Sequence, residues 1–267
     1  MDADELRRAV AGVVVVEVGW REDDGSVRAA ARTPLVYDPE TGLPTLALTY
    51  DDAAVAAALD RADRAVVVVS DSRLVLQGWQ PAVWTARPEV EADPEAHEFL
   101  GVLVDQELRK HPPSRMRADS LLQQREHWWY VARLLVRFSG VEPIGEPAAR
   151  TAPDEGVLVW SSGDGLQADT VSVDDWSAER LRLRSLAGPP SDGRGGGPAA
   201  LLRHDYSDDF ERRAHLLLTG RLSEDTFEVA NREGSAALPP VPSWWQRLRE
   251  AKRLERACRR AIRAAGH

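Results

Sequence analysis

His127 opens the run His127-Trp128-Trp129-Tyr130, whose rings could stack on a flat cofactor and whose imidazole could ligate a haem iron. The plainer reading of such a cluster is core packing around one satisfied histidine. His97, His111, His204 and His215 have no metal spacing with one another, and no HExxH or comparable carboxylate set accompanies them, which disfavours a metal hydrolase. No G-x-S-x-G elbow or Ser-x-x-Lys pair supports nucleophilic hydrolysis. Gly163-Asp164-Gly165-Leu166-Gln167-Ala168 fits G-x-G-x-x-A, but a dinucleotide turn must lead into a helix that receives the pyrophosphate. Asp169 to Val173 reads instead as a strand, which makes the segment a hairpin turn. No single residue is marked as an acid or a base.

The elements around these residues are mostly strands. A short helix over residues 5–11 precedes a strand from Val13 to Trp20, a turn at 21–25, a strand from Val27 to Tyr37, a turn over Asp38-Pro39-Glu40-Thr41-Gly42, and a strand from Leu43 to Tyr50. Asp51 and Asp52 open an Ala-rich helix to about Arg61, where early acids complement the helix dipole. Asp93-Pro94 starts a helix running to Lys110, with Ala96, Phe99, Leu100, Leu103 and Val104 as its apolar stripe. Pro112-Pro113 ends it, and a second helical stretch over 114–126 leads to a strand from Trp129 to Phe138. There Tyr130, Ala132, Leu134, Val136 and Phe138 share one face, and Arg133 and Arg137 lie on the other.

Residues 145–156 are a Pro/Ala-rich connection, dividing a first unit, 1–145, from a second β-rich unit, 156–267. The second unit has strands at Val157–Trp160, Thr170–Val173 and Arg180–Ser185, then a flexible Gly-rich loop over 188–198. One pattern occurs twice: Val66 to Asp71 leading to Leu74-Val75-Leu76-Gln77-Gly78-Trp79, and Leu201 to Asp205 leading to Leu216-Leu217-Leu218-Thr219-Gly220-Arg221. Each unit exposes an apolar face that must be buried, so the repetition suggests a partial duplication. From Ser243 a helix carries Trp244, Leu248, Ala251, Leu254, Cys258 and Ile262 on one side. Opposite lie Arg247, Arg249, Arg253, Arg256, Arg259, Arg260 and Arg263. Docking on an acidic body is the simplest use of that helix, with lipid, nucleic acid or a ligand phosphate as other targets for its arginines.

At 267 residues the chain is long enough for two medium domains or one large barrel with additions. The net charge is −9, yet residues 244–267 hold eight basic side chains against two carboxylates, so the main body is strongly acidic and nucleic acid is not an expected partner. One cysteine, Cys258, excludes an intramolecular disulfide and a cysteine-based zinc site. The apolar stretch Ala9 to Val16 is too short to span a bilayer, and Asp2, Asp4 and Glu5 stand where a secretory signal is basic. A cytoplasmic protein with no membrane partner is expected.

The order strand, strand, strand, helix, strand, strand, with Arg32-Thr33-Pro34-Leu35-Val36-Tyr37 ahead of Gly42 and Thr49 ahead of Arg64, resembles the pyridoxamine 5'-phosphate oxidase-like proteins. The resemblance covers residues 10–145. It implies an α+β, mainly β protein built on an FMN-binding split barrel, with a second β-rich half and a C-terminal helix. In that family the flavin lies between two barrels, so the chain is expected either to form a homodimer or to make that interface as an internal pseudo-dimer. Arg32 falls where the family brings an arginine to the flavin phosphate and Thr49 where a hydroxyl closes the third strand. Arg32, Thr33, Thr49 and Tyr50 are therefore the implied cofactor positions. The chain departs from the pattern at Tyr37, often lysine, and at Ala54 and Val55, where a basic pair is expected. Asp51 and Asp52 add charge that repels a phosphate.

The resemblance thus implies a flavin-type cofactor-binding protein, with FMN- or deazaflavin-dependent oxidation or reduction of a small molecule as the expected chemistry. FMN, a deazaflavin, haem or no cofactor all remain open, as does whether the chain is an enzyme. The competing class is a non-catalytic split-barrel interaction or regulatory protein without the phosphate clamp.

Overall fold

The computed structural model describes residues 3–38, 42–76, 79–163, 165–188 and 196–267. Helix α1 (Ala3–Ala11) leads into β1 (Val16–Arg21) and β2 (Val27–Arg32), which form an antiparallel hairpin. After Thr33, β3 (Pro34–Val36) pairs with β4 (Pro44–Leu48), and a 3-10 turn at Tyr50–Asp52 enters α2 (Ala53–Arg61). β5 (Ala65–Val69), β6 (Ala82–Asp93) and β7 (Arg133–Gly145) complete an all-antiparallel sheet of order β2-β1-β5-β6-β7-β4-β3. Its two ends, β2 and β3, are one bent strand broken at Thr33. The sheet therefore curls round on itself into a six-stranded barrel split at that residue.

A second, closed barrel follows: β8 (Glu155–Ser162), β9 (Gly165–Val173), β10 (Arg180–Ser185), β11 (Gly197–Tyr206), β12 (Arg213–Ser223) and β13 (Thr226–Ser235). With β2 and β3 counted as one strand, both barrels have the cyclic strand order first, second, third, sixth, fifth, fourth. The protein is mainly β with added helices, a split barrel beside a second β-rich half.

Residue alternation explains how the barrels meet. In β5, Ala65, Val67 and Val69 fill the first barrel while Val66 and Val68 face outward into the seam, joined there by Val157, Val159, Ala200 and Leu202 of the second barrel. A strand buried on both faces reads as an unbroken apolar run, as β5 does. Gly19 on β1 marks a close approach of the barrels: a Cβ there would stand 2.7 and 2.8 Å from the two methyls of Val159.

Between β6 and β7 lies a helical insert, with a π-helical segment at Phe99–Leu103, α3 (Val104–Lys110), a 3-10 turn at Pro112–Ser114, α4 (Arg115–Ala118), α5 (Leu121–Glu126) and α6 (Trp128–Val131). The last helix, α7 (Trp244–Ala264), begins with a capping box between Ser243 and Gln246 and buries Cys258 and Ile262 against this insert.

Several sequence expectations change. The described part of the expected strand Leu74 to Trp79 does not form one: Val75 makes one bridge to Val13, and Gln77 and Gly78 lie outside the described residues. The echoed strands that correspond are β5 and β11, the fourth of each barrel. The strand after β5 is β6, hidden in the sequence by Pro88 and the charges of Arg87, Glu89 and Glu91, which interrupt an apolar pattern. β13 also escaped notice, being largely polar and exposed beyond Phe227. Asp93 ends β6 rather than starting a long helix; its Oδ2 accepts the Phe99 N–H at 2.9 Å, ahead of the π segment. The expected strand from Trp129 divides into α6 and β7, which begins at Arg133. The stretch 114–126 is broken into short helices. The 163–165 turn is a β8–β9 hairpin with Ser162 opposite Gly165, although Asp164 lies outside the described residues. Parts of the other expected loops, 39–41 and 189–195, lie outside them too. No described helix is long and apolar enough to cross a membrane.

Candidate functional site

A cavity of about 800 Å³ opens where the first barrel's split, the helical insert, the β11–β12 connection and α7 converge. Arg32 and Thr33 reach it because the bent strand turns at Thr33, and Thr49 because it follows the end of β4. Arg32 donates through Nη2 to Asp52 Oδ1 at 3.1 Å and through Nη1 to the Ala31 carbonyl at 2.9 Å, while its buried Nε has no partner. Thr49 Oγ1 donates to Asp51 Oδ1 at 2.5 Å. Three of the four positions implied by the sequence thus line one cavity. Tyr50 does not: it is buried in the cluster around Phe99 and Leu103, and burial raises its hydroxyl pKa.

The insert contributes a polar wall. Glu107 Oε1 accepts from Ser114 Oγ at 2.7 Å, from Tyr130 Oη at 3.1 Å and from Arg133 Nη2 at 3.1 Å, and His111 Nδ1 lies 3.1 Å from Ser114 Oγ. The Arg133 guanidinium is stacked between Phe99, 3.9 Å from the ring centre, and Tyr130, 4.5 Å. Burial, with the adjacent Glu107 charge, pushes the Tyr130 hydroxyl up to about 12 and keeps its proton in place. Burial moves His111 the other way, favouring its neutral form.

The second barrel supplies Tyr206, Phe210, Glu211 and Arg213; the two rings lie 5.6 Å apart at a 41° tilt. α7 roofs the cavity with Trp244, Arg247 and Leu254, and Arg247 pairs with Glu211 at 2.7 Å. Trp244 and Trp245 remain 65 % exposed, so the apolar stripe expected on α7 is buried only in its C-terminal half.

The aromatic run at His127 is divided by the fold. Tyr130 faces the cavity, while His127 packs edge-on to Trp129 at 5.9 Å with a buried, unpartnered Nδ1. Tyr37 is not in the cavity; it lies under the Arg137 guanidinium at 4.2 Å. Ala54 and Val55 line a smaller neighbouring cavity of about 240 Å³. Sequence reasoning missed His111, Ser114, Arg133 and Arg213 as cavity residues. The arginines' positions depend on which strands the barrels bring together, and no local pattern signals that.

No family model matches this chain, and no curated protein matches it in sequence. Among solved structures it is similar to the conserved hypothetical protein Rv2991 from Mycobacterium tuberculosis, with 17% identity and a TM-score of 0.38 over 54% of this chain and 84% of that one. It is also similar to a heme binding protein from Mycobacterium smegmatis, with 15% identity and a TM-score of 0.36 over 97% of each chain. Likenesses this distant carry no argument, and the fold assignment rests on strand order.

Proposed function

We propose that this chain is a cofactor-binding split-barrel protein that holds a flat, phosphate-bearing ring of the flavin type between its two barrels. The observation that carries this reading is the meeting of Arg32, Thr33 and Thr49 with second-barrel side chains in one cavity of about 800 Å³, within the usual size range of cofactor sites. Tyr130, Tyr206 and Phe210 offer surfaces for a planar ring, and Arg117 and Arg213 offer positive charge. Because both barrels belong to one chain, the interface that two subunits make in the resembled family is internal, and no second copy is needed to complete the cavity.

A flavin or deazaflavin bound there would supply electron transfer, making the protein an oxidoreductase acting on a small molecule. The chain's own part is to bind and orient: Tyr130 and Ser114 hold protons at the wall, and α7 limits water access from above. The test is an absorbance spectrum of freshly purified protein, followed by titration with FMN, a deazaflavin and haemin. Saturable micromolar binding of FMN or the deazaflavin supports the reading and identifies the ring; binding of haemin alone, or of none of them, rejects it.

A second reading has its own observation. Asp52 already pairs with Arg32 Nη2 and Asp51 already holds Thr49, so the clamp is partly occupied without a ligand. This favours a non-catalytic interaction or regulatory protein. Deleting Ser243 to His267 would then abolish partner binding or oligomer formation, and a truncated chain that keeps both would dismiss it.

A further inference from the structure

The two cavities share two side chains. Arg32 of β2 and Arg213 of β12 line both the 800 Å³ cavity and the 240 Å³ one, and so stand on the boundary between them. His215 lines the smaller cavity and lies two residues from Arg213 on the same strand, hence on the same face. The walls beside them are small: Ala29 and Ala30 from β2, and Ala54, Val55 and Ala58 from α2. That leaves room for a compact anion where the start of α2 carries no basic side chain.

The carboxylates around this space are already engaged by other donors. Glu233 is held by Arg28 through two hydrogen bonds of 2.6 and 2.8 Å, and Glu22 accepts the Trp20 indole N–H at 2.9 Å. Asp52 engages one nitrogen of Arg32 and leaves its buried Nε unpartnered. Arg213 is exposed and reaches the Tyr206 hydroxyl, and among the described residues no carboxylate forms an ion pair with it. Donors from both barrels, the Arg32 Nε and the Arg213 guanidinium, therefore converge on this site without a carboxylate of their own.

We infer that the phosphate end of the bound cofactor is held at this boundary by Arg32 from the first barrel with Arg213 and His215 from the second. The inference rests on the cofactor reading above and adds the residues that replace the missing basic pair at Ala54 and Val55. The second barrel is then part of the binding site and not only a packing partner. Burial, followed by the charges of Arg213, Arg32 and His204 and opposed by Glu233, pushes His215 down to about 4. Without an anion it is neutral at pH 7; a phosphate dianion beside it favours the imidazolium, which can then donate to it.

The test compares FMN with riboflavin, which has the same ring and no phosphate, and uses inorganic phosphate as a third probe. Wild-type protein is expected to bind FMN about tenfold or more tightly than riboflavin, the scale of a lost charge-assisted hydrogen bond, with a preference that shrinks as salt rises. Arg213→Ala, a change at an exposed position that the fold tolerates, should remove most of that preference and leave riboflavin affinity unchanged. Phosphate alone should raise the His215 pKa measured by NMR in the wild type and not in Arg213→Ala. Equal binding of FMN and riboflavin to the wild type, or an undiminished preference in the variant, overturns the phosphate assignment while leaving ring binding intact. If no ring binds and phosphate leaves His215 unmoved, the cofactor reading and this assignment fall together.

Discussion

His204 Nε2 stands 2.6 Å from Glu17 Oε1, joining the second barrel to the first across 187 residues of chain. Arg150, from the connection between the barrels, pairs with the same carboxylate and with Asp71 at 3.3 Å, and its Nε donates to Ser70 at 2.9 Å. Arg73 then links Asp71, at 2.7 Å, to Asp205, at 2.9 Å. Glu17, Asp71, Arg150 and His204 are at most 2 % exposed. Buried charges are tolerated only when paired and hydrogen-bonded, so this cluster demands one relative placement of the two barrels.

Glu17→Leu leaves Arg150 without its principal counter-charge in the seam. The expected loss is about 3–5 kcal/mol of unfolding free energy, the cost of breaking a buried pair. Adding Arg150→Met should restore part of it, and chemical denaturation of the single and double variants measures both. The same cluster sets an acid limit. Burial works to raise the Glu17 pKa, but Arg150 and His204 outweigh it and the net direction is down; for His204 burial itself drives the pKa down from 6.5. A group with a depressed folded pKa binds more protons when unfolded, so stability is lost as pH falls. Loss should begin below about 6.5, and His204→Gln should flatten the upper part of that profile.

Gly19→Val places a branched side chain where a Cβ alone stands within 3 Å of Val159. Destabilisation of roughly 1–3 kcal/mol is expected from overpacking of the seam. Combining it with Val159→Ala should recover much of that loss. Gly101→Ala, at a site with open space around it, serves as the control in the same denaturation series.

Lys110 is 4 % exposed, and its Nζ donates to the carbonyls of Val10 and Pro34, both at 2.7 Å. Burial, with a smaller push from Arg109, lowers it to about 7 from 10.5. Between those values the unfolded chain holds the extra proton, so stability should rise as pH goes from about 7 to 10.5. The neutral amine still has donors for both carbonyls. Lys110→Met should remove this rise and, with both acceptors left unpaired, lower the stability near pH 10.5, where the amine is neutral in both states; thermal unfolding across the range checks it.

Asp52→Asn should increase FMN affinity severalfold, because it frees Arg32 and removes a charge that repels phosphate. The Asp52 side chain makes no capping bond to α2, so little helix stability is at stake. Arg32→Ala should weaken FMN by roughly 1.5–3 kcal/mol, the range for a hydrogen bond to a charged group. Fluorescence titration of the two variants in parallel reads both effects, and an unchanged affinity in each would place the ligand elsewhere.

The two halves were legible where their strands alternate or run apolar, and the helix from Ser243 where its apolar stripe repeats. β6 and β13 were not, because Pro88 and alternating charges suit an exposed strand face as well as they suit a loop. Arg133 reads as a surface residue from its position in a strand. It is buried because Phe99, Tyr130 and Glu107 close over it from an insert whose packing no local pattern encodes.

The sequence alone determined the mainly-β character, the two strand-rich halves and the helix from Ser243, since these depend on residue type and short spacing, while Arg32, Thr33, Thr49 and Tyr50 were nominated through the family resemblance. The tertiary structure decided that β2 and β3 are one bent strand joining both ends of a sheet, and that β5 serves two cores at once. It also decided that Arg213 and His215 face Arg32 across the seam. Period and propensity specify which face of a strand is apolar; which distant strand covers that face is fixed only when both barrels pack together.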